Sequence, residues 1–172
     1  MFRRMNDLAR FVVDVPDFPQ PGILFRDIST LLRDHFADTV SAMSGLFSAA
    51  EWAGFDAVAG IESRGFVLAA ALAAQQGKGF VPVRKQGKLP PPVVDRAYDL
   101  EYGAGVLEMK TGTGRLLLID DVLATGGTLF AAAPLCQLAG YQVLGIGVLI
   151  DIGILSEFSW QSLPARTVIR YG

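Results

Sequence analysis

Residues 116–129, which read LLLIDDVLATGGTL, carry the side chains of this chain that are best suited to chemistry. Two adjacent acids, Asp120 and Asp121, follow an apolar run, and a short loop of Ala, Thr and Gly comes soon after them. Gly126 and Gly127 let the backbone approach a ligand closely, and a helix that begins there presents unpaired N–H groups that favour an anion. The loop therefore predicts a phosphate site, to which two threonines add hydroxyl donors.

The two acids need a ligand of a different kind, because a carboxylate repels a phosphate. Sugar hydroxyls carry donors that a carboxylate can accept, and a divalent cation beside the phosphate would take carboxylate oxygens as ligands. We therefore expect a sugar phosphate that is bound together with a metal ion.

Three other interpretations of this stretch compete. A nucleotide-binding P-loop needs a Lys after its glycines, and a phospho-acceptor receiver domain, which also has an acidic pair at a strand end, uses a later Lys. No Lys follows Lys110 in this chain, which counts against both. The third interpretation is purely structural, namely a buried strand that ends in a capping acid and is followed by a tight turn. A turn alone does not require two acids together with Thr and two Gly.

Composition predicts one intracellular domain. The 172 residues are a usual length for a single domain over 1–172, and with 51% hydrophobic residues they can bury an ordinary core. A net charge of -2 gives no basic field for nucleic acid. We expect no membrane partner, because the start of the chain lacks the apolar region of a signal peptide and no apolar run reaches the roughly 18 residues that span a bilayer. The one cysteine, Cys136, lies in an apolar helical pattern, which fits a core position and a reducing cytoplasm.

Strands alternate with helices along the chain, which predicts an α/β fold, a single domain with a central, mostly parallel sheet flanked by helices. The run RLLLID does not alternate between apolar and polar residues, as is typical of a strand buried on both faces. Ligands of open α/β sheets bind beyond the carboxyl ends of the strands, where we expect Asp120 and Asp121. The predicted strands are 56–60, 79–84, 115–120 and 141–150, and the predicted helices are 38–54, 63–77 and 127–139.

The two ends of the chain and one internal segment are less regular. A short helix is predicted over 6–15, and a further helix and a last strand, 165–172, are predicted after Ile152. Residues 96–103 and 105–110 are expected to pair as a hairpin. The apolar face predicted for the helix over 38–54 consists of Val40, Met43, Leu46, Phe47 and Ala50.

The stretch 116–129 resembles the phosphoribosyl pyrophosphate signature of the type I phosphoribosyltransferases. Four further segments, DFPQPGILFRDIS, GIESRGF, FVPVRKQGKLP and YDLEYG, resemble in order those of the family members that act on adenine, and the match runs from about Asp14 to Ile152. The resemblance implies the family's fold, with a mobile hairpin or loop over the active site. It also implies the reaction of adenine with phosphoribosyl pyrophosphate to give AMP and pyrophosphate, with Mg²⁺ as cofactor, in purine salvage.

The resemblance implies which residues hold phosphoribosyl pyrophosphate. The residues implied for the 5′-phosphate are Ala124, Thr125, Gly126, Gly127 and Thr128. The residues implied for the pyrophosphate and the mobile loop are Ser63, Arg64, Arg84, Lys85 and Lys88. Asp120 and Asp121 would meet the ribose hydroxyls and Mg²⁺, at least partly through water. An arginine at the position of Arg84 can reach a neighbouring subunit in this family, so a homodimer is implied.

The adenine site is implied in the same way. Phe25 would stack on the base, Arg26 would present its backbone to the edge of the base, and Ile152 would pack on the other side. Glu101 is the candidate for positioning or accepting the proton that leaves adenine, because a carboxylate near the base can act as a general base. From the pattern alone, Phe25 could also be a core aromatic residue, and Glu101 could be a solvated charge on a hairpin.

The sequence departs from the family between YDLEYG and LLLID, where the connection AGVLEMKTGTGR is shorter than usual. A shorter turn is expected there, which affects the dynamics of the loop rather than the motifs on either side. Two other functions stay open, namely transfer to another purine base such as hypoxanthine or guanine, and a non-catalytic regulator on the same fold that senses phosphoribosyl pyrophosphate. The segments FRDI and LEYG favour adenine, and such regulators tend to carry extra domains or basic surfaces, which this chain lacks.

Overall fold

An eight-stranded mixed sheet forms the centre of the protein, whose computed structural model describes residues 5–100, 103–155 and 157–172. In spatial order its strands are β5 (Val94–Leu100), β6 (Gly103–Met109), β4 (Gly79–Lys85), β3 (Ala57–Ile61), β7 (Gly114–Leu123), β8 (Tyr141–Asp151), β10 (Leu163–Arg170) and β9 (Ser159–Trp160). The five neighbouring strands from β4 to β10 are parallel, and the other three pair antiparallel at the edges. A separate two-stranded ribbon consists of β1 (Val13–Pro16) and β2 (Leu24–Asp27). The predicted α/β fold with a mostly parallel sheet is confirmed.

Helices cover both faces of the sheet. They are α1 (Ser29–Asp34), α2 (Phe36–Ser44), α3 (Ala49–Gly54), α4 (Arg64–Gln75) and α5 (Gly127–Leu138), and a 3₁₀ helix (Met5–Phe11) precedes them. Leu116 and Leu118 of β7 pack in one hydrophobic cluster with α5, while Leu117 and Ile119 pack in a second cluster with α2 and α4. All four are fully buried, as the unalternating run predicted. Within the described residues, no helix has the length and hydropathy needed to span a bilayer.

The sheet reverses its direction of growth between β3 and β7. Helix α4 leads from β3 to β4 toward one edge, whereas α5 leads from β7 to β8 toward the other. The two strands are parallel neighbours, with Gly60 beside Ile119. Because α4 and α5 lie on opposite faces, this is a topological switch point, and ligands of such sheets bind at the carboxyl ends of the strands there.

The helix predicted over 38–54 is broken into α2 and α3. Ser48 begins α3 with a capping box, because its hydroxyl accepts from the N–H of Glu51 at 3.3 Å while the Glu51 carboxylate accepts from the N–H of Ser48 at 2.8 Å. A new helix start therefore interrupts the apolar periodicity. Ala50, which was predicted on the buried face, is exposed as a result.

Three further predictions were wrong in their boundaries or type. The first helix ends at Phe11, because the residues from Val13 onward pair with β2. Strand β7 does not end at Asp120 but continues to Leu123, since its last residues pair with β8. After Ile152, the regular elements of the described residues are β9 and β10, so the helix predicted there is absent from them.

The hairpin predicted for 96–103 and 105–110 is confirmed, but its bounds were wrong, because Gly103 begins β6 instead of ending the first strand. Strands β5 and β6 pair antiparallel, with Leu100 opposite Gly103. Residues 101 and 102 lie outside the described residues, so Glu101 has no described position.

Candidate active site

Two helices begin at the switch point between β3 and β7. Ser63 is the N-cap of α4 and Arg64 its first residue, while Gly126 is the N-cap of α5. No described side chain caps either helix start, so the backbone N–H groups there can serve an anionic ligand. The structure therefore brings the residues predicted for the pyrophosphate and for the 5′-phosphate to one edge of the sheet.

Asp120 is the buried member of the acidic pair, with 6% of its surface exposed. Burial, together with the neighbouring charge of Asp121, raises the pKa of the Asp120 carboxyl well above its ordinary value. Its Oδ1 accepts a hydrogen bond from the N–H of Asp121 at 2.9 Å. A Cβ on Gly65 would lie 3.1 Å from the same oxygen, so a glycine at this position lets α4 approach the acid. A sugar hydroxyl or a cation beside this carboxyl would favour its charged form.

Asp121 forms an ion pair with Arg64, with 2.5 Å between Oδ2 and Nη2. That oxygen is buried and accepts no hydrogen bond from the described residues, so the guanidinium charge offsets its burial. The same guanidinium donates from Nη1 to the carbonyl oxygen of Arg26 at 3.4 Å, and its carbon lies 4.9 Å from the centre of the Phe25 ring. Arg64 therefore connects the residues predicted for pyrophosphate, ribose and adenine.

Phe25 and Arg26 are held on the two-stranded ribbon. The Phe25 ring packs edge-to-face against Phe18, with 5.1 Å between the ring centres, and Phe25 is only half-buried. A half-exposed ring suits a platform for a base better than a core position. The side chain of Arg26 forms an ion pair with Asp14 and lies over the ring of Tyr171. Its charge is therefore paired, which leaves its backbone as the part that can meet a base.

Ile152 lies directly after β8, beside the end of β7. Its N–H donates to the carbonyl oxygen of Leu123 at 3.1 Å, and its half-buried side chain packs on the cluster that contains α4. The structure thus places Ile152 at the same edge of the sheet as the acidic pair.

The loop 124–128 wraps around the start of α5. Gly126 has a φ of 81°, and a Cβ there would lie 2.9 Å from the ring of Phe158 and 3.1 Å from Leu155. Glycine therefore suits both the left-handed conformation and the close packing. The carbonyl oxygen of Gly126 accepts from the N–H of Phe130 at 2.9 Å, which forms the first turn of the helix. The expected phosphate loop is a preformed structure with its backbone at the switch point.

Glu62, which precedes Ser63, holds the end of β4. Its Oε2 lies 3.2 Å from Nε of Arg84 and accepts from the N–H of Lys85 at 3.0 Å. Burial raises the pKa of Glu62, but these hydrogen bonds outweigh burial and lower it below its ordinary value. Nη1 of Arg84 also donates to the carbonyl oxygen of Lys88 at 3.2 Å. Glu62 therefore links the predicted cationic loop to the start of α4.

Glu108 fixes the loop that follows β4. Its buried carboxylate accepts from the N–H groups of Gly87 at 3.0 Å, Lys88 at 2.7 Å and Leu89 at 2.7 Å. These hydrogen bonds, led by that from Gly87, lower its pKa. Sequence reasoning missed both Glu108 and Glu62. The place of Glu62 inside GIESRGF was an available signal, whereas Glu108 looks like an ordinary strand charge.

The acidic pair has the donors that Mg²⁺ prefers. This ion commonly binds through one or two carboxylates, substrate phosphates and water rather than in an all-protein cage. In the described part of the chain, no group of three His, Cys, Asp or Glu side chains could hold a metal. Asp120 and Asp121 would be the protein ligands, with substrate and water oxygens completing the set, and their two carboxylates fit the ion in this respect.

The sequence profile of the phosphoribosyl transferase domain matches residues 34–158. The match spans the strands and helices on both sides of the switch point, including the acidic pair and the loop at the start of α5. The fold and the site thus define a phosphoribosyltransferase domain. The two-stranded ribbon with Phe25 lies outside the matched range.

Relatives that match over nearly the full length show which kind of phosphoribosyltransferase the chain resembles. The adenine phosphoribosyltransferase of Hydrogenovibrio crunogenus is 52% identical over 98% of each chain, and that of Bdellovibrio bacteriovorus is 47% identical over 96% of this chain and 99% of its own. Among solved structures, the APRTase from Giardia lamblia complexed with 9-deazaadenine has a TM-score of 0.85 and 34% identity over 99% of both chains. The chain belongs to the adenine phosphoribosyltransferase family.

Proposed function

We propose that this chain transfers the phosphoribosyl group of phosphoribosyl pyrophosphate to adenine, giving AMP and pyrophosphate, as a purine salvage enzyme. The position of the Arg64 guanidinium is the observation that carries the proposal. It pairs with Asp121, where ribose is expected, and it lies against Phe25, where the base is expected. It also begins α4, whose start is suited to the pyrophosphate. One side chain thus lies among the residues expected to hold all three parts of the reaction.

Phosphoribosyl pyrophosphate would bind along the edge of the sheet. Its 5′-phosphate would accept hydrogen bonds from the loop 124–128 and the uncapped start of α5. Its ribose hydroxyls would donate to Asp120 and Asp121. The loop and the acids would hold the ribose in one orientation, which favours reaction at C1′.

The pyrophosphate would lie at the start of α4. Ser63 and Arg64 would contact it there, and the cationic residues at the end of β4 and in the loop after it would approach from the neighbouring strand. These cations are Arg84, Lys85 and Lys88. Because the pyrophosphate gains charge as it leaves, cations that are held in place would stabilise the transition state more than the ground state. In this account the Arg64 guanidinium exchanges Asp121 for the pyrophosphate when the substrate binds.

Mg²⁺ would be held by Asp120 and Asp121 and would supply positive charge that neutralises the pyrophosphate oxygens. The acids would hold the ion and the helix starts would hold the phosphates, so different residues would serve these two tasks. A cation held there would oppose the effects of burial and of the Asp121 charge, which raise the pKa of the Asp120 carboxyl.

The base would stack on Phe25, with the backbone of Arg26 at its edge and Ile152 on its other side. A ring nitrogen of adenine then forms a bond to C1′, while the bond from C1′ to the pyrophosphate oxygen breaks and its electron pair leaves with pyrophosphate. The nitrogen must also lose a proton. We assign that proton to Glu101 on the strength of its segment, YDLEYG, since a nearby carboxylate can act as a general base.

The proposal includes a homodimer and a cytoplasmic location. The family resemblance suggests the homodimer, because an arginine at the position of Arg84 can reach a neighbouring subunit in that family. The cytoplasmic assignment rests on the single cysteine, Cys136, which is buried and free.

The purified protein should be assayed with phosphoribosyl pyrophosphate, Mg²⁺ and each free purine in turn. Adenine should give AMP, and hypoxanthine and guanine should give far less of their nucleotides. Equal turnover of all three bases would contradict the adenine assignment, and turnover of none would point to a non-catalytic regulator that senses phosphoribosyl pyrophosphate.

A further inference from the structure

The end of the chain contacts the ribbon that carries Phe25. The guanidinium carbon of Arg26 lies 3.9 Å from the centre of the Tyr171 ring, and the same side chain forms an ion pair with Asp14. Asp14 and Arg26 are opposite residues of β1 and β2. A two-stranded ribbon is only marginally stable alone, so its position depends on contacts with the rest of the fold. The cation–π contact between Arg26 and Tyr171 is one of these contacts, and it is made by the residue that follows Phe25.

The same tyrosine is joined to the end of β8. Its N–H donates to the carbonyl oxygen of Asp151 at 2.9 Å, and Nη2 of Arg170 lies 3.1 Å from Oδ2 of Asp151. Oδ1 of the buried Asp151 accepts from the N–H of Gly153 at 2.9 Å, so this carboxylate fixes the turn that contains Ile152. The two segments pack so closely that a Cβ on Gly153 would overlap the carbonyl oxygen of Tyr171.

We propose that Tyr171 is a positioning residue for adenine, because it connects the two walls of the base site. One wall is Phe25 with the backbone of Arg26, and the other is Ile152. The inference rests on the proposed function, since that function defines the base site. Tyr171 acts through the walls and touches no reacting atom. Its loss should loosen the adenine site and leave the phosphate sites on α4 and α5 in place.

Initial-rate kinetics of Tyr171→Ala and Tyr171→Phe test the inference. Tyr171→Ala should raise KM for adenine about three- to thirtyfold, which corresponds to the loss of a cation–π contact, while KM for phosphoribosyl pyrophosphate stays within about twofold. Tyr171→Phe keeps an aromatic ring for Arg26 and should restore the wild-type KM for adenine. A merely structural role would alter both KM values or neither.

A second variant keeps the test valid if Tyr171→Ala folds poorly. Gly153→Ala should displace the end of the chain and raise KM for adenine in the same selective way, because its Cβ meets Tyr171. Gly77→Ala is the matched control. Gly77 also has a positive φ, of 63°, but nothing lies within 4 Å of its Cβ position, so its substitution should leave both KM values unchanged.

Combining Tyr171→Ala with Phe25→Ala tests whether the tyrosine acts through the ribbon. Coupled residues give a joint effect smaller than the product of the separate effects, and that is the expected result. An unchanged KM for adenine in both Tyr171→Ala and Gly153→Ala, or fully multiplicative effects in the double variant, would overturn the inference while wild-type AMP formation upholds the proposed function. A wild type that forms no AMP would overturn both.

Discussion

Replacing Gly126 by alanine should weaken the fold and the binding of phosphoribosyl pyrophosphate together. Gly126 has a φ of 81° and begins α5, whose first N–H groups are expected to hold the 5′-phosphate. An added Cβ would meet the ring of Phe158 at 2.9 Å and the side chain of Leu155 at 3.1 Å. The backbone would have to move at the point where the phosphate is expected to bind.

Two costs add in this variant. The left-handed conformation costs a residue with a Cβ about 1–2 kcal/mol. Overpacking costs typically about 1–3 kcal/mol, and the Phe158 ring cannot yield freely because it is buried and lies 4.5 Å from the ring of Phe130. The free energy of unfolding should therefore fall by about 2–5 kcal/mol. Gly77→Ala shares the first cost but not the second, because its Cβ would point into open space.

Urea unfolding of the two variants separates these costs, and initial rates measure the effect on the site. Gly126→Ala should be less stable than Gly77→Ala by at least about 1 kcal/mol. Its KM for phosphoribosyl pyrophosphate should rise about tenfold to hundredfold, as expected for a lost hydrogen bond to a charged group. Equal stability of the two variants would refute the packing argument, and an unchanged KM would refute the placing of the phosphate at this helix.

Four other variants give direct tests. Asp120→Asn combined with Asp121→Asn should reduce turnover by at least about a hundredfold, because it removes the charge expected at the ribose and the metal, while circular dichroism stays that of the wild type; wild-type turnover would contradict the assignment. Phe25→Ala should raise KM for adenine about tenfold to hundredfold and spare phosphoribosyl pyrophosphate; equal losses would indicate a packing defect instead. Glu101→Gln should lower kcat by about 10²–10⁴, and a kcat within about threefold of wild type would remove it from the chemistry, provided that product release does not limit the wild type. Glu51 forms an ion pair with Arg166, with 2.5 Å between Oε1 and Nη2. Hydrogen bonds from Arg166 and from Ser48 lower the pKa of Glu51 to about 2, so the stability that this carboxylate provides is present above its ordinary pKa and is lost as the pH falls toward 2. Glu51→Gln should lack that loss in acid unfolding, and an acid limb identical to that of the wild type would argue against the ion pair.

Local patterns predicted the elements that position the site. The run from Leu116 to Ile119 is apolar at every position, as a strand that is buried on both faces requires, and the structure buries all four residues. The acidic pair and the glycine loop were recognisable because they lie within ten residues of each other in the sequence. Their chemistry depends on that short segment and on the helix it begins, so little tertiary information was required.

Contacts between distant segments could not be predicted from the same patterns. Arg64 donates to the carbonyl oxygen of Arg26, which lies 38 residues earlier in the sequence, and Glu108 accepts from Lys88, which lies 20 residues earlier. No periodicity or turn signal specifies such pairs. The prediction of one continuous helix over 38–54 failed for another reason. The capping box at Ser48 starts a new helix, although the apolar pattern continues through it. The last strand predicted after Ile152 is present as β10, but no helix precedes it in the described residues, where the short strand β9 pairs with β10 instead.

The most direct measurement is the simultaneous release of AMP and pyrophosphate from adenine and phosphoribosyl pyrophosphate, compared between the wild type and the variant with Asp120→Asn and Asp121→Asn. We expect equal amounts of both products from the wild type, no pyrophosphate release without adenine, and at least about a hundredfold less of either product from the variant. Pyrophosphate released without AMP, or products formed at the wild-type rate by the variant, would contradict the assignment of this reaction to the acidic pair at the switch point.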